Sequence, residues 1–132
     1  ECKILRQSNQ DFACIVAAGI TVFESLKAYE ELKKQNIFVA VIDLYCIKPF
    51  DVATVSTVAM ASNNRIITVE DHYIQGGIGQ TICGSLASTG MQITNLAIAQ
   101  VPQSGKAEDL LNAYGISAQH IVKAVMLSRV RL

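Results

Sequence analysis

Residues 37–44 read IFVAVIDL and residues 65–69 read RIITV. Both runs are rich in β-branched residues, and neither shows the polar alternation of a strand with one wet face. Such runs predict strands covered on both sides, as in a parallel sheet sandwiched by helices. Residues 12–18 (FACIVAA) and 93–99 (ITNLAIA) supply two more strands of the same kind, and amphipathic segments separate them. Strand and helix alternating at this rhythm indicate an α/β fold with a mostly parallel sheet and helices on both faces. Residues 2–6 (CKILR) precede the first unit without a crossover helix, so that strand is expected to pair antiparallel at an edge.

The helices carry their own signals. Thr21 and Glu24 have the T-x-x-E spacing of a capping box, which places a helix start at Thr21. Val22, Leu26, Tyr29 and Leu32 then form its inner face, while Glu24, Lys27, Glu31 and Lys34 fall largely elsewhere. After Pro49, Asp51 is the expected N-cap of a second helix, with Val52, Val55 and Val58 or Ala59 facing inward. Ile78, Ile82 and Leu86 keep i, i+4 spacing through a third. Gly115 reads as a helix stop and Ser117 as the cap of the terminal helix, where Lys123, Arg129 and Arg131 suit the negative end of the dipole.

Composition removes several function classes. Eleven basic and eleven acidic side chains cancel in 132 residues, leaving no surplus field for a nucleic-acid backbone or an anionic membrane. The apolar runs are too short to span a bilayer, and the N-terminal residues lack the plan of a secretory signal. Cys2, Cys14, Cys46 and Cys83 form no C-x-x-C pair, and the three that sit in apolar runs read as small buried hydrophobes in a reducing, cytoplasmic setting. Residues 1–132 contain no internal linker and read as one domain. Residues 73–105 contain no Asp, Glu, Lys or Arg, which suits either a buried helix and strand or a surface covered by another domain or subunit.

The candidate site is VEDHYIQGGIG, residues 69–79. Glu70, Asp71 and His72 stand at the carboxyl end of a central strand, where open α/β sheets gather ligands. Gly76, Gly77 and Gly79 open the following helix, whose N–H groups could hold a small anion. They do not form G-x-G-x-x-G, and the acidic residue expected about twenty positions on is missing. SGK at Ser104–Lys106 likewise fails the phosphate-loop pattern, because Gln100 stands where glycine is required. No G-x-S-x-G elbow occurs, and the second histidine, His120, falls on the terminal helix. The carboxylates therefore either perform acid–base chemistry, or cap the turn and pair with a neighbouring domain.

VEDHYIQGGIGQTIC, VIDLYCIKPFD and VPQSGKAEDLLNAYGIS occur in this order, and the chain from about Cys2 to Val125 closely resembles the C-terminal domain of transketolases, particularly the animal type. The resemblance implies a three-layer α/β/α sandwich with a five-stranded mixed sheet whose first strand is antiparallel. It implies a parent homodimer that uses thiamine diphosphate and a divalent metal, magnesium or calcium, to move a two-carbon ketol unit between sugar phosphates in the pentose phosphate pathway. The residues that bind that cofactor and perform catalysis belong to two preceding domains, so this chain is expected to hold no catalytic, cofactor or metal residue and to be inactive alone. Glu70, Asp71, His72, Gly76, Gly77 and Gly79 become an interface or regulatory corner, and Glu70→Gln is expected to leave the isolated fold little changed. Gln80 stands where the family commonly has Glu, Ile74 and Gln75 replace a more polar pair, and Ala18 sits near a usual G-A-G turn. Two other readings are a free-standing or regulatory small-anion-binding module and the matching domain of a 2-oxo-acid dehydrogenase beta subunit.

Overall fold

A computed structural model describes residues 1–101 and 103–130. Five strands, β1 (Lys3–Arg6), β2 (Cys14–Ala17), β3 (Ala40–Asp43), β4 (Arg65–Tyr73) and β5 (Gln92–Ile98), form one sheet in the order β1-β3-β2-β4-β5. β1 runs antiparallel against β3, and every other pairing is parallel. The helices are α1 (Ile20–Lys34), α2 (Val52–Ala61), α3 (Ile78–Leu86), α4 (Ala107–Ala113) and α5 (Ala118–Val130). The mixed five-stranded sheet and its antiparallel first strand are those expected from the sequence.

The lack of polar alternation in the central strands has its explanation in two separate cores. Ile15, Val41, Ile67 and Val69 point to one face and meet Leu32 of α1, Leu111 of α4 and Ile121 and Val125 of α5. Val16, Ile42, Leu44 and Ile66 point to the other and meet Val55 and Val58 of α2 and Ile78, Ile82 and Leu86 of α3. Successive strand residues thus serve opposite cores, and both faces stay dry. Cys14 lies in the second core, where burial pushes its thiol up. Cys2, Cys46 and Cys83 are only half-buried, and all four cysteines are free thiols.

Several local expectations need correction. α1 begins at Ile20 with Gly19 as N-cap, and no side chain caps it. Gly19 takes φ 64°, a turn that glycine makes without Cβ strain, so the chain enters the helix before Thr21 is reached. Thr21 Oγ lies 2.8 Å from the carbonyls of both Ala18 and Val69, and accepts from the Ala18 N–H at 3.3 Å. Glu24 is buried beside α4 and α5 rather than on the wet face, with Lys27 Nζ 3.0 Å from its carboxylate. Val52 is exposed at the first position of α2, while Val55, Val58 and Ala59 are buried. Ser117 immediately precedes α5, but its Oγ faces His120 Nδ1 at 2.8 Å and Asn112 Oδ1 at 3.3 Å instead of a backbone N–H. Arg129 lies in the last turn of α5, Lys123 lies further back, and Arg131 is outside the described residues.

Candidate functional site

The chain moves from β2 to β3 on one side and then crosses to β4 on the other. The switch point of the sheet therefore lies between the carboxyl ends of β2 and β4. A cavity of about 500 Å³ opens there, lined by Ala18 and Gly19 after β2, Glu70, Asp71 and His72 of β4, and Gly76, Gly77 and Ile78 at the start of α3. All three polar residues of the sequence motif thus reach the place where ligands gather in such sheets.

β4 is irregular at this point. Val69 pairs with Leu96 and Tyr73 with Ile98, so four steps along β4 match two along β5. The extra residues bend the strand, leaving Glu70 buried while Asp71, His72 and Tyr73 are exposed. Bending turns Glu70 toward α3. Its Oε1 accepts the Ile78 N–H at 2.9 Å and its Oε2 accepts the Gly79 N–H at 2.8 Å. Two of the donors that a helix start leaves without partners are thereby satisfied by a carboxylate at the positive end of the dipole.

This contact accounts for the glycines. A Cβ on Gly77 would overlap Glu70 Oε1. A Cβ on Gly79 would stand 2.8 Å from Asn95 Oδ1 and 3.0 Å from Glu70 Oε2. Gly76 takes φ 79°, and its N–H donates to Gln80 Oε1 at 2.6 Å. The glycines make room for a carboxylate of the same chain, and the Ile78 and Gly79 N–H groups that could have held an anion are already engaged by Glu70.

Of two supporting residues, Asn95 was missed in the sequence and Gln80 was noted only as a departure from the family. Gln80 closes the Gly76 turn, and Asn95 stands against Gly79 from β5. Thr68 Oγ donates to Asn95 Oδ1 at 2.6 Å, and Asn95 Nδ2 reaches Cys83 Sγ at 3.4 Å. The signal was a lone amide inside the apolar ITNLAIA run.

The chemistry open to this corner is narrow. His72 Nδ1 lies 2.7 Å from its neighbour's carbonyl, that of Tyr73, and 4.0 Å from Glu70 Oε1. No hydroxyl or thiol is hydrogen-bonded to His72 among the described residues, so it has no nucleophile to activate. His120 does face a serine, but Ser117 is buried, and with Asn112 the pair closes the turn between α4 and α5. The described residues contain no group of three or more His, Cys, Asp or Glu able to hold a metal ion. Nor do they suit the diphosphate of a thiamine cofactor: the Ile78 and Gly79 N–H groups are occupied, and Glu70 and Asp71 present negative charge to the same cavity.

Comparison with known proteins agrees with this architecture. Residues 1–121 match the family model described as transketolase, C-terminal domain. The chain is 52% identical over 126 residues to transketolase-like protein 1 of Macaca fascicularis, covering 95% of this chain and 21% of that protein. It is 41% identical over 126 residues to transketolase of Mus musculus, covering 95% of this chain and 20% of that protein. A split-gene transketolase solved as an inactive beta4 tetramer superposes with TM-score 0.87 at 26% identity, over 96% of this chain and 41% of that one. The chain thus spans about a fifth of the length of the curated relatives it matches.

Proposed function

The chain belongs to the transketolase C-terminal domain family, and from that premise we propose that it is the scaffolding and assembly domain of a transketolase-type enzyme. The observation that carries this reading is the use of Glu70: the one buried carboxylate of the corner is engaged by the backbone of α3 and organises a turn. That carboxylate is committed to holding the start of α3 in place. The parent transfers a two-carbon ketol unit between sugar phosphates in the pentose phosphate pathway, in the cytoplasm, as a homodimer. Thiamine diphosphate and its magnesium or calcium ion are held by the preceding domains. In this reading Asp71 and His72, exposed beside the buried cap, meet those domains.

The small-anion module is not favoured, because Glu70 occupies the N–H groups it would need. The relatives quoted are transketolases and transketolase-like proteins, which also leaves the 2-oxo-acid dehydrogenase reading without support.

The test is transfer from xylulose 5-phosphate to ribose 5-phosphate with thiamine diphosphate and magnesium supplied. The 132-residue chain alone is expected to be inert, whereas the full-length polypeptide that carries it is expected to be active and to copurify with the cofactor. Turnover by the isolated chain, or a native polypeptide of this length without cofactor, would sink the proposal.

A further inference from the structure

We infer that the carboxyl end of the sheet is the face on which the preceding domains of the same polypeptide dock. This rests on the proposed function and specifies its surface. Large exposed apolar side chains are spread unevenly over the molecule. Ile20 and Phe23 follow β2, Tyr45 follows β3, Tyr73 and Ile74 end β4, and Val101 follows β5, so all six gather at the end where the parallel strands finish. Phe23 is 67% exposed and Val101 80%. At the opposite end three are exposed, Met60 on the last turn of α2 and Leu127 and Val130 on the last turn of α5.

Three hollows of the surface adjoin at this same end. Ile20 lines the 500 Å³ corner cavity, a 160 Å³ cavity that shares Asp71 with it, and a 270 Å³ cavity that includes Phe23. Three adjoining concavities rimmed by apolar side chains, with Asp71 and His72 among them, have the apolar core and polar accents of a protein interface.

Chain direction identifies the occupant. β1 is antiparallel, and Lys3 lies opposite Asp43 at the carboxyl end of β3. Polypeptide leading into Glu1 therefore arrives beside Tyr45 and the apolar end. In relatives of which this chain is about a fifth, and whose C-terminal domain it matches, the bulk of the protein precedes this point. A short connection is then enough to bring that bulk onto this face, and the high effective concentration of a tethered partner favours the contact.

Hydroxyl-radical footprinting of the full-length polypeptide tests the assignment, with each side chain's oxidation compared against the unfolded chain. Phe23, Tyr45 and Tyr73 are expected to be protected severalfold more than their exposure in this domain implies, independent of protein concentration, while Met60 oxidises as an exposed residue. Phe23→Lys in the full-length polypeptide should restore oxidation of Tyr73, and Met60→Lys should not. Oxidation of all three aromatics at their exposed rates would overturn the docking face, and if that preparation still transferred ketol units the proposed function would stand. Protection lost on dilution would give the face to a second copy of the chain instead. A native polypeptide no longer than 132 residues would overturn both proposals together.

Discussion

Helices α2 and α3 start side by side on the same face of the sheet, and each is capped by a carboxylate, but the two caps have different origins. Asp51 stands one residue before α2 and accepts from the Thr54 N–H at 3.1 Å, with the Thr54 hydroxyl adding a bond at 2.9 Å. Glu70 comes from a different element, the bent end of β4, and reaches forward eight and nine residues to Ile78 and Gly79. The first cap is local and half-exposed. The second is buried and joins a strand to a helix, so it holds tertiary structure as well as a helix end. A cap of the second kind should be far more costly to lose, because its partners have no water to replace it.

Gly77→Val should have the largest effect. The new side chain takes the place of Glu70 Oε1, which leaves a buried carboxylate without its donors, and a loss of about 3–5 kcal/mol in urea unfolding is expected. If Gly77→Val unfolds like wild type, the glycine is not there to accommodate the cap. Glu70→Gln comes next. An amide retains one acceptor but turns a donor toward the helix, and the loss should be about 1–3 kcal/mol. That outcome replaces the expectation from sequence that this change spares the isolated fold, since Glu70 is only 4% exposed. An unfolding midpoint equal to wild type would return Glu70 to the exposed interface.

Asp51→Ala should cost less than Glu70→Gln, and its cost should depend on pH in a defined direction. The Thr54 backbone N–H, and then its hydroxyl, hold the Asp51 carboxyl below its ordinary value of 3.8. The unfolded chain therefore takes up the proton first as the pH drops. The contribution of Asp51 is complete above the ordinary value and disappears as pH falls through the lower native one. The gap between wild type and Asp51→Ala should accordingly stay level down to about pH 4 and shrink below it. A gap that widens in acid would mean the cap works through something other than its charge. Smallest of all, Asp71→Asn should leave the unfolding midpoint of this chain unchanged, because Asp71 is exposed and no hydrogen bond or ion pair engages it among the described residues. Its effect belongs to the full-length polypeptide, where weakened domain docking would distinguish it from an inert surface position.

The two caps also mark the limit of what could be read in advance. Asp51 was visible because its partner is three residues away, and the inward spacing of Ile78, Ile82 and Leu86 was visible because a helix repeats locally. The Thr21–Glu24 capping box was just as regular but misleading. Thr21 is claimed by the carbonyl of Val69, 48 positions along the chain, and no local pattern could reveal that competitor. The roles of Asn95 and Gln80 stayed hidden for the same reason, since an amide's role depends on which groups the fold places beside it.

By itself the sequence determined the layers of this protein. Strands without polar alternation, separated by amphipathic helices, bury both faces only as a sheet between two helical layers, and that constraint is set by hydrophobic spacing along the chain. Tertiary structure alone decided the meaning of the corner. The bend in β4 carries Glu70 inward and leaves Asp71 and His72 outside, and crossing from β3 to β4 places that bend against the start of β2's helix. Hydrogen bonds between distant groups depend on strand order and register, so whether three adjacent polar residues become a cap, a contact or a catalyst is decided only when those strands have met.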